Sequence, residues 1–241
     1  MKKSLIYTLL AVALLLPAVA QAVSPQRNIR KQPVKMKKEL CLQLYSVRSL
    51  LNGVNADGKA SADWTALLKR LHNMGYTSVE AANYDNGKGT FYNRKPKDFK
   101  ADIEGAGMKM LSSHVSHNLS DAELASGDYS EALKWWKKTI ADHKAAGIPF
   151  IVDPWIGKQK SLHDLDVYCR YLNAVGEMCR KEGISFGYHN HDYEFAKVEG
   201  QVMYDYMLTH TNLENVFFQM DMYWTVRGGC SPVEYFKRYP G

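Results

Sequence analysis

Two stretches of the sequence end apolar runs with side chains that can bind metal ions or move protons. Residues 184–195 read ISFGYHNHDYEF and place His189, His191 and Glu194 behind an apolar run. Residues 216–224 read VFFQMDMYW and bring Asp221 to the end of a second apolar run. Imidazole and carboxylate groups that converge from neighbouring strands form divalent-metal and proton-transfer sites. We therefore expect one such site where these two strands end.

The elements that must position these side chains repeat along the chain. Strand-like runs begin on average about 35 residues apart, which is the spacing of βα units in a parallel sheet. Amphipathic helices fill the intervals; the clearest is a stripe from Trp64 to Leu71 that Gly75 ends. The strand starts lie near Glu39, Thr77, Lys109, Pro149, Ile184 and Val216, and further helices are predicted after Lys97, over 130–147, after Ser161 and over 203–210.

Alternation along the strands indicates which side chains face the interior. If the apolar positions face the helices, polar side chains point inward near the carboxyl end of each strand. Active sites of βα barrels lie at that end. A doubly wound sheet would favour a glycine-rich phosphate turn after its first strand, whereas here that strand continues into Ser46-Val47-Arg48, so a barrel is favoured. The inward set is Gln43, Tyr45, Glu80, Ser112, His114, Asp153, His189, His191, Gln219 and Asp221.

The inward side chains supply nitrogen and oxygen donors without a thiolate, a set that suits Mn²⁺, Co²⁺, Zn²⁺ or Mg²⁺. Such an ion can bind two neighbouring oxygens of a sugar and acidify the C–H beside its carbonyl, while a carboxylate or imidazole moves the proton. We assign His189 and Asp221 to the metal. Proton transfer is assigned to Glu80, His191 and Glu194, and substrate binding to Gln43, Tyr45, His114, Asp153, Trp155 and Trp224.

Structural roles remain open for several of these residues. Glu80 could cap the loop after its strand, and Glu194 could pair with a loop cation. Asp153 precedes Pro154 and could simply form a turn. The two indoles could pack against the barrel rather than stack on a sugar.

The N-terminus predicts export. Lys2 and Lys3 precede an apolar run that ends at Ala20-Gln21-Ala22, which is typical of a cleavable secretory signal over residues 1–22. Residues 23–38 then form a basic flexible segment, and a barrel domain is predicted for 39–241. We expect a periplasmic product without a stable membrane anchor.

The charge distribution argues against nucleic-acid binding. The formal charge is +6, but eight basic residues lie before Glu39, so the remainder of the chain carries −2. Binding of nucleic acid by the folded part is therefore disfavoured. A small carbohydrate is the expected partner, and whether the protein forms a homo-oligomer stays open.

Four segments together resemble the sugar phosphate isomerase/epimerase family, the xylose isomerase-like (β/α)8 TIM barrels. They are 42–47 (LQLYSV), 75–80 (GYTSVE), 188–195 (YHNHDYEF) and 220–224 (MDMYW). The resemblance implies an isomerase or epimerase that acts through an enediolate, with a divalent metal held by residues on strands 5 to 8. Asp221 matches the strand 6 ligand. The strand 5 position is commonly Glu in an E-N-H pattern, whereas here it is His189 in H-N-H.

Exported relatives with this variant resemble enzymes suited to 3-keto-glycosides, so a lyase or hydrolase on the same barrel is an alternative. A non-catalytic sugar-binding barrel is another, although it would not need Glu80, His191 and Asp221. An apurinic endonuclease shares the barrel but should show a basic face and a D-x-x-H motif, whereas Trp224 stands three residues after Asp221.

A closed barrel of this family has eight βα units, and six are readable between Glu39 and Gly241. We expect a truncated barrel whose two further units would add about 70 residues. Its remaining metal ligands would lie in those units. The 241-residue form is accordingly expected to be poorly stable and essentially inactive by itself, which unfolding and activity measurements on the isolated chain would check.

Overall fold

The computed structural model describes residues 39–52 and 63–240. The predicted signal peptide over 1–22 and the basic segment over 23–38 lie outside the described residues, and both stay predictions. Within the described part of the chain, helices separate the successive strands of the main sheet.

Six parallel strands form the main sheet, in the order β1-β2-β5-β6-β7-β10. Each begins within two residues of its predicted start, so the parallel α/β architecture is confirmed. Two short antiparallel hairpins, β3 with β4 and β8 with β9, interrupt the loops that follow β2 and β7. The strands are β1 Cys41–Gln43, β2 Ser78–Ala81, β3 Tyr84–Asp85, β4 Thr90–Phe91, β5 Lys109–His114, β6 Phe150–Asp153, β7 Ser185–His189, β8 Lys197–Val198, β9 Gln201–Val202 and β10 Val216–Gln219.

Several helices begin at capping side chains, and the longer ones bury an apolar stripe. Asp63 accepts hydrogen bonds from the first-turn amides of α2, and Ser161 caps α6 by accepting from the Asp164 amide at 3.1 Å. None of the helices in the described ranges combines the length and hydrophobicity needed to cross a bilayer. They are α1 Arg48–Asn52, α2 Trp64–Asn73, α3 Pro96–Gly105, α4 Asp121–Ser126, α5 Ser130–Ala145, α6 Leu162–Lys181, α7 Met203–His210, α8 Met222–Arg227 and α9 Pro232–Arg238, with 3₁₀ turns at Leu44–Val47 and Tyr193–Phe195.

The hydrophobic core lies between the helices and the outer face of the sheet. Trp136 of α5 is fully buried, packs edge-on against Phe186 of β7, and donates a hydrogen bond to the Tyr171 hydroxyl of α6. Because the apolar side chains of the strands are used on this face, the other face is free for polar groups.

The predicted inward side is confirmed for most of the polar set but is wrong for Asp153. In the parallel register Asp153 pairs with Tyr188 and Ile151 pairs with Phe186, so all four face the helices. Phe150 and Val152 take the interior positions instead, in register with Ser112 and His114. Residues 150–152 read Phe-Ile-Val, so the apolar pattern of β6 does not distinguish its two faces.

A buried histidine couples the fold to pH. His143 of α5 is fully buried, and its ring lies 4.8 Å from the rings of both Tyr84 and Phe91. Its Nδ1 donates to the Thr139 carbonyl at 2.7 Å. Burial disfavours the charged imidazolium and lowers the pKa of His143 to about 4.

The unfolded chain therefore binds this proton more readily, and stability should fall as the pH drops from about 6.5 to about 4. The loss assigned to His143 is about 3 kcal/mol. Urea unfolding at several pH values should show a shallower decline for His143→Phe, which keeps a ring there. The exposed His163→Phe serves as control, and equal slopes for wild type and His143→Phe would contradict the assignment.

Candidate functional site

A cavity of about 680 Å³ opens at the carboxyl ends of the parallel strands. Of the eleven predicted site residues, nine line it, and the exceptions are Asp153 and Glu194. The lining consists of Gln43, Tyr45, Glu80, Ala82, His114, Pro154, Trp155, His189, His191, Gln219, Met220, Asp221 and Trp224.

The Glu80 carboxylate is the centre of a hydrogen-bond network on the cavity floor. Its Oε1 accepts from the Gln43 amide at 2.7 Å and lies 3.2 Å from Nε2 of His114. Its Oε2 accepts from Ser112 Oγ at 2.5 Å and from Nε2 of Gln219 at 2.9 Å. Donors from three other strands therefore surround this one side chain.

The network makes Glu80 a stable carboxylate. Burial disfavours its charge, but the His114 imidazole and the hydrogen bonds from Ser112, Gln219 and Gln43 outweigh burial and hold the pKa of Glu80 below its ordinary value. Both oxygens are engaged by these donors, so neither is directed at the cavity with free lone pairs. This geometry favours a positioning role for Glu80 over the predicted catalytic role.

Gln219 connects Glu80 to two histidines. Its side-chain oxygen lies 2.9 Å from Nε2 of His114 and 2.9 Å from Nδ1 of His189. The rings of these histidines contact each other edge-on at 4.8 Å. Together with Glu80, the three side chains form one connected polar floor.

His189 and Asp221 meet at the cavity wall. Nε2 of His189 lies 3.7 Å from Oδ2 of Asp221. The other carboxylate oxygen, Oδ1, accepts from the Trp224 amide at 2.9 Å and caps α8. Asp221 thus combines a helix cap with a second oxygen that remains available beside an imidazole nitrogen.

Asn190 holds the ends of β7 and β10 together. It is fully buried between His189 and His191, and its Oδ1 accepts from the Asp221 amide at 2.9 Å. Its Nδ2 lies 3.2–3.3 Å from the His191 and Asp221 carbonyls and from the Thr225 hydroxyl. This side chain fixes the backbone of Asp221 relative to both histidines.

His191 stands between two indoles at the cavity rim. The centroid of its ring lies 5.6 Å from that of Trp155 and 5.3 Å from that of Trp224. Burial, followed by the nearby His189, lowers the pKa of His191. The ring is therefore uncharged near neutral pH and able to accept a proton.

Two predicted site residues lie behind the cavity wall. Glu194 is fully buried and accepts from the Tyr188 hydroxyl at 2.6 Å and from the His191 amide at 2.9 Å. Asp153 accepts from Ser116 Oγ at 2.7 Å and from the Trp155 amide at 3.0 Å, so it forms the turn that orients Trp155. Burial raises the pKa of each to about 7.

Three residues outside the predicted set contribute to the arrangement. Gln219 and Ser112 occupy inward positions of the strands, as their identified neighbours do. Their amide and hydroxyl groups do not ionise, so nothing in the residue type marks them as part of a reactive site. Asn190 lies within the H-N-H pattern, where its backbone-clamping role depends on a loop geometry that alternation does not predict.

The donor set is only partly suited to a metal ion. His189 and Asp221 offer one nitrogen and one oxygen of the kinds that Mn²⁺, Co²⁺ and Zn²⁺ accept. In residues 39–52 and 63–240, no group of three His, Cys, Asp or Glu side chains is arranged to hold an ion. The residues present therefore fit two positions of a coordination shell.

A parallel sheet flanked by helices, with polar side chains at the carboxyl ends of its strands and neighbouring strands that follow one another along the chain, is typical of a βα-barrel protein. The family model for the xylose isomerase-like TIM barrel matches residues 68–239. The chain belongs to this family.

Solved structures agree with this assignment. Two sugar phosphate isomerase/epimerase structures from Parabacteroides distasonis are 29% and 32% identical to this chain, with TM-scores of 0.72 and 0.73. The alignments cover 87% and 84% of this chain and 74% and 75% of those chains. A probable 3-DHS dehydratase from Bacillus anthracis, 11% identical over 83% of this chain and 69% of its own with a TM-score of 0.60, shares the fold. No curated protein sequence matches the chain.

Replacing Asn190 with Leu should destabilise the protein by about 3 kcal/mol, because the buried amide and carbonyl of Asp221 would lose their partner. The urea midpoint would measure the loss, with the exposed Asn118→Leu as the matched control. A loss below about 1 kcal/mol would show that Asn190 does not clamp the two strand ends.

Proposed function

We propose that this protein is a divalent-metal-dependent sugar isomerase or epimerase that moves a proton through an enediolate of a keto-sugar. The observation that carries the proposal is the convergence of His189 Nε2 and Asp221 Oδ2 at 3.7 Å, beside His191, on one cavity wall. The family and the two Parabacteroides distasonis structures support this class of reaction.

In this proposal His189 and Asp221 hold the ion. An ion bound there would act as a Lewis acid on the substrate carbonyl and lower the pKa of the adjacent C–H. Asp221 is suited to the role because its capping bond uses only Oδ1 and leaves Oδ2 for the ion. Asn190 keeps both ligands in register.

His191 is the proposed proton carrier. Its imidazole is uncharged at neutral pH, lines the cavity, and is held by the bond between its backbone amide and Glu194. It can therefore take a proton from the carbon beside the carbonyl and return it on the same face to the neighbouring carbon, whereas inversion would need a proton from a second group on the opposite face. Glu80 is less suited because its oxygens are engaged by four side chains.

Trp155 and Trp224 are proposed to bind the sugar ring. Trp155 is 44% exposed, and both indoles line the cavity on either side of His191. A sugar packed against these apolar ring faces would present its polar edge to the cavity floor. Gln43 and Tyr45 line the same cavity and supply the remaining polar contacts. His114 lines it too, but its ring nitrogens are engaged by Gln219 and Gln43.

The proposed localisation and the proposed partner are supported by the sequence alone. The signal-like segment supports export to the periplasm, and the charge of the chain after the basic segment supports a small carbohydrate partner rather than nucleic acid.

Metal binding can be tested with Mn²⁺ alone. Asp221→Asn should weaken binding at least tenfold, because a ligand charge is lost while Asn still caps α8. Electron paramagnetic resonance of free Mn²⁺ would measure the affinity. Asp63→Asn, which changes the cap of α2 in the same way, is the control. Equal affinity in Asp221→Asn and wild type, or no binding by either, would overturn the metal assignment.

Proton transfer can be followed as exchange of the α-proton in D₂O by ¹H NMR. D-fructose, its 6-phosphate and a 3-keto-glucoside are suitable probes. His191→Asn in the full-length protein should slow exchange about 100-fold or more, the range of a lost general base. The exposed His163→Asn should exchange like wild type. Undiminished exchange in His191→Asn would remove this residue from the mechanism, and product formation only from the 3-keto-glucoside would favour a lyase or hydrolase.

A further inference from the structure

We propose that Gln219 is a positioning residue that fixes the tautomers of His114 and His189, so that His189 presents the lone pair of Nε2 toward Asp221. The tautomer assignment follows from hydrogen bonding alone. Its consequence for metal binding rests on the proposed function.

The orientation of the Gln219 amide is set by Glu80. The Glu80 carboxylate can only accept hydrogen bonds, and Ser112 and Gln43 donate to it as well. The Gln219 atom that lies 2.9 Å from Glu80 Oε2 must therefore be the NH₂ group. The carbonyl oxygen of the amide is then directed at the two histidines.

That oxygen requires both histidines to donate. It lies 2.9 Å from Nε2 of His114 and 2.9 Å from Nδ1 of His189, and a carbonyl oxygen has two lone pairs. His114 therefore carries its proton on Nε2, in agreement with Gln43, whose amide lies 3.2 Å from Nδ1 as a donor. His189 carries its proton on Nδ1.

The remaining nitrogen of His189 is consequently a lone-pair acceptor. Its distance of 3.7 Å from Asp221 Oδ2 exceeds a hydrogen bond, as expected for two acceptors that face each other without a shared proton. Such a pair is ready to receive a cation. The other tautomer would place a proton on Nε2. That N–H could donate a hydrogen bond to Asp221 Oδ2, and neither atom would then have its lone pair free for a cation.

The same interaction explains why a neutral amide stands at position 219. An apolar side chain could not hold the Nδ1–H form of His189, which is the minor tautomer of a free histidine side chain. A second carboxylate would face Glu80 with like charge. Glutamine donates its NH₂ to the Glu80 carboxylate and accepts from both histidine rings through its oxygen. The charge on Glu80 thereby determines which nitrogen of His189 carries the proton.

The test is ¹⁵N NMR of the metal-free protein labelled at histidine, because nitrogen shifts distinguish the two tautomers. The wild type should show His189 protonated on Nδ1, with assignments from His189→Asn and His114→Asn. Gln219→Met, which keeps the side-chain length, should move the proton of His189 to Nε2. Glu80→Gln should produce a mixture of both His189 tautomers. It is the substitute variant if Gln219→Met does not fold. Gln201→Met, an exposed change of the same type, should leave the spectrum unchanged.

A wild-type His189 protonated on Nε2, or an unchanged tautomer in both Gln219→Met and Glu80→Gln, would overturn the inference. Titration with Mn²⁺ separates it from the proposed function. Gln219→Met should bind Mn²⁺ about 10-fold to 100-fold more weakly, the range for residues that orient metal ligands. If the tautomers behave as expected while the wild type binds no Mn²⁺, the positioning role stands and the metal role fails.

Discussion

One buried charge organises the floor of the cavity. A carboxylate with 6% of its surface exposed is unfavourable unless several donors compensate for the lost water, and Glu80 has four side chains within reach. Two of them, Gln43 and Gln219, end β1 and β10, which are the outermost strands in the described sheet order. The same carboxylate therefore ties strands that are not neighbours, and this requires the sheet to curve as barrel strands do.

The cavity keeps its acidic groups in different states by giving them different surroundings. Glu80 is charged and fully engaged, whereas Asp221 uses one oxygen as a helix cap and leaves the other beside His189. Glu194 and Asp153 lie behind the wall, where burial raises their pKa values and their oxygens hold the amides of His191 and Trp155. His191 and Trp155, which line the cavity, are thus positioned by Glu194 and Asp153, which do not.

Much of this arrangement follows from the sequence, and the exceptions have physical causes. The strand starts and most interior positions follow from periodicity, because one face of each strand is apolar and the other polar. Alternation failed at Asp153, where three consecutive apolar residues fit either face. It identified Gln219 as an interior residue but could not assign it a task, since that task depends on which groups lie within 3 Å of both ends of its amide. Glu80 was identified as functional, yet its saturation by neighbours becomes visible only in three dimensions.

The bond between Gln219 and Glu80 also bears on the order in which the molecule can assemble. It joins residues separated by 139 positions in the chain. During synthesis Glu80 leaves the ribosome long before Gln219 does, so its carboxylate must remain hydrated, or be paired only with the nearer donors, until β10 docks. Contacts of such large sequence separation form late because loop closure must come first. The floor of the cavity is therefore completed only after β10 has docked on β7, because Gln219 reaches Glu80 at that stage.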